Sequence, residues 1–467
     1  ALISYQKLYE AQKGNANYLI KIIQIHQQLE QFDSAEQLLI QQVNTSRNPQ
    51  YLVELGYNFQ LKGDQKKADE YYNKAMQKIE EDPVYAYYVA RRFEEHVLID
   101  RAARVYERAM ELKPEANYNI QLARIYGEQG KVEQMFGSYI DFIEKNKNYL
   151  NQGKRAFSQY ISENSADVNN ILLRKVLLRK IQSNPDLLWN QLLSWLFVQQ
   201  KDYAKAFVQE KAIYRRVPEN LGGIINLSRI TIEADEVNIA NKILIYLVEN
   251  GITIETVINA HKNLLELDIK HAPNSKYNAI DQEFKEILAK FGRNPQSLEL
   301  QLSYGHFMAF YLNDTSRATK FLKETLKTRL SPVQSAKIKM KLGDILVFQE
   351  KFNEALIYFS QIQTRLKNST ISQEARFRVA KTSYYKGDFK WAESQLKILK
   401  ASSSQLIAND ALELKLLISD NKFEDSTQTA LKLYAKADLL AFQNKTDAAI
   451  STLNSILENH KTESIID

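Results

Sequence analysis

Residues 52–75 read LVELGYNFQLKGDQKKADEYYNKA, and the spacing in this stretch predicts two short helices packed face to face. Leu52, Leu55, Gly56 and Phe59 fall at i, i+3, i+4 and i+7, one face of an α-helix. After Lys62-Gly63-Asp64, a second helical stripe follows in Ala68, Tyr72 and Ala75. Gly56 and Ala68 are small where two helices must approach closely, and Tyr72 fills the space behind Ala68. Gly63 suits the left-handed residue that ends the first helix.

Moving outward, the next stretch keeps the phase. Ala86, Val89-Ala90 and Phe93 mark a first helix, Ala102, Tyr106 and Ala109 a second, and Pro114 follows. A weaker unit precedes, with Leu19, Ile22-Ile23 and His26, then Ala35 and Leu39. A degenerate one comes after, with Leu122-Ala123 and Tyr126, then Tyr139 and Phe142. This pattern resembles the tetratricopeptide repeat, a helix pair of about 34 residues with small and aromatic residues at fixed places. The resemblance implies an all-α, right-handed superhelical α-solenoid, in which the first helix of each pair lines a concave groove.

Further along, the pattern fades and returns. Residues 150–184 read as two helices without the small-residue signature. Trp189, Leu192, Leu196, Ala206 and Pro218 recover it loosely; Ile224, Leu227-Ser228, Ala240, Leu244 and Leu247 fit better. His271-Ala272-Pro273-Asn274-Ser275 reads as a loop. Clean units then return. The first is Leu302, Gly305, Ala318 and Leu322, and the second Leu342-Gly343, Leu346, Ala355 and Phe359. Val379-Ala380, Ala392 and Leu396 follow, and Leu433, Ala437, Leu440, Ala449 and Leu453 close the chain. About eleven helix pairs are expected, some degenerate. They group as an N-terminal repeat block (1–149), divergent helical repeats (150–295) and a C-terminal repeat block (296–467), with irregular joints near 150–185 and 250–295. Ala401-Ser402-Ser403-Ser404 reads as a loop.

Composition agrees with this reading. The 467 residues contain only 14 Gly and 8 Pro, too few turn residues for a β-rich chain of this size. The 26 Tyr and 20 Phe suit gap-filling between helices. A net charge of +6 is a mild excess on a large surface and does not by itself imply nucleic acid. With no Cys, disulfides, thiolate metal sites and a cysteine nucleophile are excluded. No apolar run approaches the roughly 20 residues of a membrane span. The start at Ala1 without Met reads as the loss of a signal peptide or of a longer N-terminus; with the missing Cys it leans toward a periplasmic or cell-envelope protein, with the cytoplasm as alternative. Ile465-Ile466-Asp467 reads as a helix in progress, so the C-terminal end is expected to be covered by further chain or by a partner.

No catalytic, metal or cofactor site is expected. His26, His96, His261, His271, His306 and His460 are scattered without metal-ligand spacing, and His26 and His306 fall at core phases. No phosphate-binding glycine loop and no nucleophile elbow is present. Glu80-Glu81-Asp82, Glu94-Glu95 and Asp235-Glu236 read as solvated faces. So do the basic groups Arg174-Lys175 with Arg179-Lys180, and Lys337, Lys339 and Lys341; the alternative is an anionic partner. Asn44, Asn226 and Asn368 begin glycosylation sequons, Asn226 inside a predicted helix.

The candidate site follows from the family resemblance. Residues one or two positions off core on the first helices would face the groove: Val53, Tyr57, Tyr87, Arg91, Ile120 and Arg124. Tyr and Arg are enriched at binding hot spots. The Lys and Asn clamp with which chaperone-binding members hold a C-terminal carboxylate is missing: Ile20, Gln24, Val53 and Tyr57 stand at those phases. The expected function is a non-catalytic scaffold or adaptor for proteins or peptides in a multiprotein complex, such as a bacterial secretion or outer-membrane assembly machine. The alternatives are a repeat-containing regulator of nucleic acid or signalling partners, or the non-catalytic part of a larger enzyme.

Overall fold

The computed structural model describes residues 1–12, 15–399, 404–421, 427–461 and 463–466, so the loop expected at 401–404 lies, except for Ser404, outside the described residues. Two compact units emerge, Ala1–Arg216 and Val217–Asp467. The expected middle block, 150–295, contributes helices to both.

The first unit runs through α1 (Leu2–Ala11), α2 (Ala16–Gln28), α3 (Phe32–Thr45), α4 (Gln50–Leu61), α5 (Gln65–Glu81), α6 (Ala86–Glu95) and α7 (Ile99–Leu112). It continues through α8 (Asn119–Glu128), α9 (Val132–Lys145), α10 (Leu150–Ser158), α11 (Val168–Ser183), α12 (Leu187–Gln199) and α13 (Tyr203–Arg216). The second unit comprises α14 (Gly222–Glu233), α15 (Val237–Asn250), α16 (Ile254–His271), α17 (Tyr277–Phe291), α18 (Leu298–Phe310), α19 (Thr315–Leu326) and α20 (Pro332–Phe348). It ends with α21 (Phe352–Arg365), α22 (Thr370–Tyr385), α23 (Phe389–Leu399), α24 (Gln405–Asn421), α25 (Thr429–Phe442) and α26 (Thr446–Asn459). The described residues contain no strand. Each unit is an α-solenoid of packed helix pairs.

The close approach read at Gly56 is present. A Cβ built on Gly56 would meet the Tyr72 ring at 2.5 Å and the Ala68 carbonyl oxygen at 3.1 Å. Gly305 stands in the same relation to Leu322, and Gly343 to Phe359. In each pair a large side chain of the second helix occupies the volume that a side chain on the first would need. Tyr72, Leu322 and Phe359 are accordingly buried.

Turns within the pairs share one device. Gly63 has φ +82°, and Gly130 and Gly387 are also left-handed. Glu30, Val97, Lys201, Asp235, Asn313, Glu350 and Asn444 take the same left-handed slot without being glycine. In most of these turns the next residue's N–H reaches the carbonyl five positions back in the preceding helix, as Asp64 does to Phe59 (2.9 Å) and Leu98 to Phe93 (2.8 Å). That is the hydrogen bond of a Schellman ending. Helix starts are capped by side chains: Asp64 accepts from Lys67 N–H, and Ser331 and Gln334 form a capping box on either side of Pro332.

Some expectations change. In α9 the buried hydrophobic residues are Met135, Phe136, Ile140 and Ile143, while Tyr139 and Phe142 are half-buried; the core stripe sits one residue away from the phase expected. In the last pair Ala437 and Ala449 are buried as expected, but Leu431, Ala435 and Leu439 also take core places, while Leu433 and Leu440 are half-buried and Leu453 is exposed. Ile465 and Ile466 belong to a single 3-10 turn, not to a continuing helix. That turn packs on α24 and α25, and Ser464 Oγ lies 2.9 Å from Asn421 Oδ1. His271 closes α16, so the loop begins at Ala272. In the 150–184 stretch, α11 packs on α9 and α12. The intervening loop is held by the buried Asn170, whose amide donates to the carbonyls of Ser162 (2.8 Å) and Asn164 (2.6 Å).

Candidate functional site: two clefts

In the first unit, α6 and α8 flank a cleft of 770 Å³. Helix α6 supplies Tyr87, Arg91, Glu94 and Glu95; α8 supplies Ile120, Gln121 and Arg124. Gln152 of α10 closes one side, and Tyr106 and Tyr139 reach in from α7 and α9. Four residues picked from the helix phase, Tyr87, Arg91, Ile120 and Arg124, therefore share one cleft. The other two lie elsewhere. Val53 is fully buried and presents nothing to a ligand, because neighbouring helices cover the face of α4 on which it stands. Tyr57 is half-buried and stacks on His96, with ring centroids 3.7 Å apart. Beneath that stack the fully buried Glu54 faces His96 Nε2 at 3.1 Å and Arg92 Nη1 at 3.8 Å; this charge cluster joins α4 to α6.

Charge in the first cleft is internally matched. Arg124 donates to Glu94, whose other oxygen accepts from Tyr106 Oη at 3.3 Å. Arg91 Nε lies 3.3 Å from Glu95. Burial, reinforced by the Glu94 carboxylate, raises the Tyr106 hydroxyl above the ordinary phenol range; burial also raises Tyr139. Both stay neutral donors at physiological pH. The cleft thus offers tyrosine edges, amide groups and two arginines already paired.

In the second unit a cleft of 680 Å³ is lined by the first helices of four consecutive pairs, α16, α18, α20 and α22. Its apolar wall includes Ile269, Leu302, Val333, Met340 and Ile371. Its charges are largely paired: Lys262 with Glu266 (3.2 Å), Lys337 with Glu299 (2.5 Å), and Arg378 with Asp344 (3.4 Å) and Glu374 (3.8 Å). Asp344 is buried, which pushes its carboxyl above the usual range. Burial lowers the Lys341 ammonium. His306, expected in a packed core, is half-buried and borders this cleft. Its ring packs on Phe310, its Nδ1 has no hydrogen-bond partner, and burial lowers its pKa to about 4.

Beyond Arg378, the same face of α22 carries Lys381 and Tyr385. Here the chain's own α25 packs. Asp438 of α25 accepts from Lys381 at 2.5 Å, and Phe442 meets Tyr385, Phe310 and Phe348. Gln443 donates to the Phe348 carbonyl at 2.9 Å.

The second cleft escaped the sequence reading because its charged residues looked like an ordinary solvated helix face. The basic stretch of α11 is engaged within the fold: Lys175 and Arg179 reach Glu133, and Lys180 reaches Asp141 and Glu144. No group of three or more His, Asp or Glu side chains placed to hold a metal ion occurs among the described residues. No helix of the described residues is long and apolar enough to cross a membrane.

Comparison with known proteins places the repeat. Residues 49–77 match the tetratricopeptide repeat family, the same helix pair, α4 and α5, whose Gly56–Tyr72 contact is described above. The chain therefore carries a tetratricopeptide repeat at α4 and α5. No curated protein sequence matches it. Among solved structures it is similar to the yeast Tom70 structure, at 13% identity and a TM-score of 0.39, covering 86% of this chain and 95% of that one. It is similar to the APC/C hetero-tetramer Cut9–Hcn1 at 11% identity and a TM-score of 0.35, covering 97% and 92%. It is also similar to Naa15/Naa10 bound to HypK-THB at 11% identity and a TM-score of 0.30, covering 94% and 75%.

Proposed function

We propose that this protein is a non-catalytic interaction scaffold that holds a partner protein or peptide in the first-unit cleft. The observation that carries the reading is the convergence of Tyr87, Arg91, Ile120 and Arg124 from two first helices on one open cleft of 770 Å³. Tyrosine and arginine supply large contact areas and several hydrogen bonds with limited loss of rotamer freedom. The partner that suits this surface is polar. It would present amide and carbonyl groups to the tyrosines and to the glutamate-paired Arg91 and Arg124, and an apolar side chain to Ile120. Membership of a multiprotein complex, of the secretion or outer-membrane assembly type, extends the same reading. A periplasmic or cell-envelope location rests on the absence of cysteine, and fractionation of the native cells tests it.

Affinity co-purification of the full-length chain from those cells, washed at low and high salt, tests the scaffold role. A small stoichiometric set of proteins should survive high salt, and Tyr87→Ala with Arg124→Ala should lose at least one of them. Nucleic acid recovered only at low salt, without a stable protein partner, would overturn the reading in favour of a regulator.

A further inference from the structure

We infer that the outer side of the second unit docks on an anionic phospholipid surface and seats a headgroup phosphate between Lys339 and Arg365. The inference goes beyond the scaffold reading, which concerns the first-unit cleft, and assigns a surface of different chemistry.

The argument begins with the lysines of α20. Lys337 and Lys341 line the second-unit cleft among its carboxylates. Lys339 faces the other way, into an open groove of 580 Å³ between α20 and α21. Leu356 and Ile357 supply its apolar wall, Ser360 and Thr364 bring hydroxyls, and Arg365 is its second cation. The described residues lining it include no Asp or Glu. Burial, reinforced by the Arg365 guanidinium, holds the Lys339 ammonium below the ordinary lysine range. Neither cation has a carboxylate within ion-pair distance among the described residues. An anion set between two like charges relieves their repulsion, and a phosphate has oxygens enough to accept hydrogen bonds from both.

The excess of positive charge continues along one edge. Helices α19, α21 and α23 are the second helices of consecutive pairs, so they run in one direction and end at the same edge of the unit. Lys323, Lys327, Lys367 and Lys397 stand exposed there, none with a carboxylate within ion-pair distance among the described residues. Glu324, next to Lys323, is already engaged by Arg293 at 3.1 Å. Helix dipoles favour lysines in last turns, but they do not explain Lys339, which lies inside α20.

Apolar side chains are interleaved with these charges. On the outer faces of α21 and α23, Ile357 is 58% exposed, Trp391 51% and Ile398 58%, turned away from the core residues Phe359 and Leu396. Cations beside exposed Trp and Ile are the pattern with which a protein surface settles into a bilayer interface. A single-stranded nucleic acid would instead call for stacking faces, which Ile357 and Ile398 lack.

Co-sedimentation of the full-length protein with vesicles tests this. Vesicles of equal parts phosphatidylglycerol and phosphatidylcholine should carry the protein down, and phosphatidylcholine alone should not. Lys339→Gln with Arg365→Gln should weaken binding about ten-fold, and Ile357→Ser with Ile398→Ser should weaken it as well. Lys66→Gln with Lys67→Gln, on α5 of the first unit, removes the same charge and should change nothing. Trp391 emission should shift to the blue on the anionic vesicles, and Trp391→Phe should abolish the shift, because Trp189 is buried and Trp195 half-buried in the first unit. Arg365→Gln alone provides a second variant should Lys339→Gln perturb folding. Equal binding to both vesicles, binding to neither, or an equal loss in the Lys66 and Lys67 variant would overturn the inference. So would complete release by millimolar inorganic phosphate at constant ionic strength, which would mark a site for a soluble anion. Tighter binding of single-stranded RNA, lost in the Lys339 and Arg365 variant, would overturn it in favour of nucleic acid. None of these outcomes touches the first-unit cleft, so the scaffold reading keeps its own co-purification test.

Discussion

The two clefts are lined chiefly by first helices of the repeat pairs, yet they treat charge differently. In the first, Arg91 and Arg124 each meet their own glutamate on α6, and the walls are tyrosine and amide. In the second, apolar residues from four helices surround four Lys or Arg and four Asp or Glu side chains, of which Lys341 has no carboxylate within ion-pair distance among the described residues. The difference teaches that the repeat specifies which helix faces the opening but leaves the chemistry of that face free. Off-core positions do not enter the packing between helices, so neutral, paired and unpaired residues are all compatible with the fold.

The sharpest way to break the comparison is to remove one cleft and keep the other. Helix α20, which carries Lys341 and Asp344, is seated on α21 through Gly343, and a Cβ there would overlap the Phe359 ring. Gly343→Val should cost about 3 kcal/mol. Thermal or urea denaturation should show the loss, and hydrogen exchange should place it in α20 and α21 while the first-unit helices stay protected.

A smaller effect separates the clefts by pH. The His306 pKa of about 4 lies below the ordinary value near 6.5. As pH falls, the unfolded chain takes up this proton before the folded one does. Stability is therefore full above about pH 6.5 and declines toward pH 4, by on the order of 2 kcal/mol from this residue. His261, lowered by burial, acts in the same direction. His306→Leu should flatten the part of the Tm decline between pH 6.5 and 4 that this histidine contributes. Unchanged slopes for variant and wild type would contradict the burial argument.

Next comes the turn that ends α6, the helix bearing Tyr87 and Arg91. Val97 sits there at φ +59°, an unfavourable conformation for a β-branched side chain. It is 79% exposed, so little packing is lost on its removal. Val97→Gly should stabilise the protein by about 1 kcal/mol, read as a rise in Tm. The smallest effect is expected at Arg124→Ala. Its pair with Glu94 is solvent-accessible on the arginine side, so stability should fall by less than about 1 kcal/mol. Any loss of partner binding by that variant would then report on the cleft and not on folding.

Much of the fold was legible because helix packing leaves a local signature. Gly56, Ala68 and Tyr72 lie within one helix pair, and their spacing alone announces the close approach found in the fold. The α9 stripe was misplaced for a related reason: Tyr139 and Phe142 are large enough for the core, but Phe136 and Ile140 fill it, and Tyr139 is turned toward the cleft. The site was legible only in part. Tyr87, Arg91, Ile120 and Arg124 could be picked from the helix phase. Val53 could not be rejected, because its burial depends on helices that its own periodicity does not describe. Lys341 carried no distinguishing signal beside Lys337 and Lys339.

The sequence by itself determined that the chain folds into helix pairs, where those pairs turn, and which residues form most of their cores. These properties follow from 3.6-residue periodicity and from residue size within a few turns of chain. Only the tertiary structure decided which off-core side chains share a cleft and which charges find partners there. Lys337 meets Glu299 across 38 residues of chain, and Lys381 meets Asp438 across 57. Lys341, on the same helix as Lys337, has no carboxylate within ion-pair distance among the described residues and feels Asp344, Glu266 and Glu374 only from further off, because ion pairing depends on proximity in space between helices and not on the repeat that builds them.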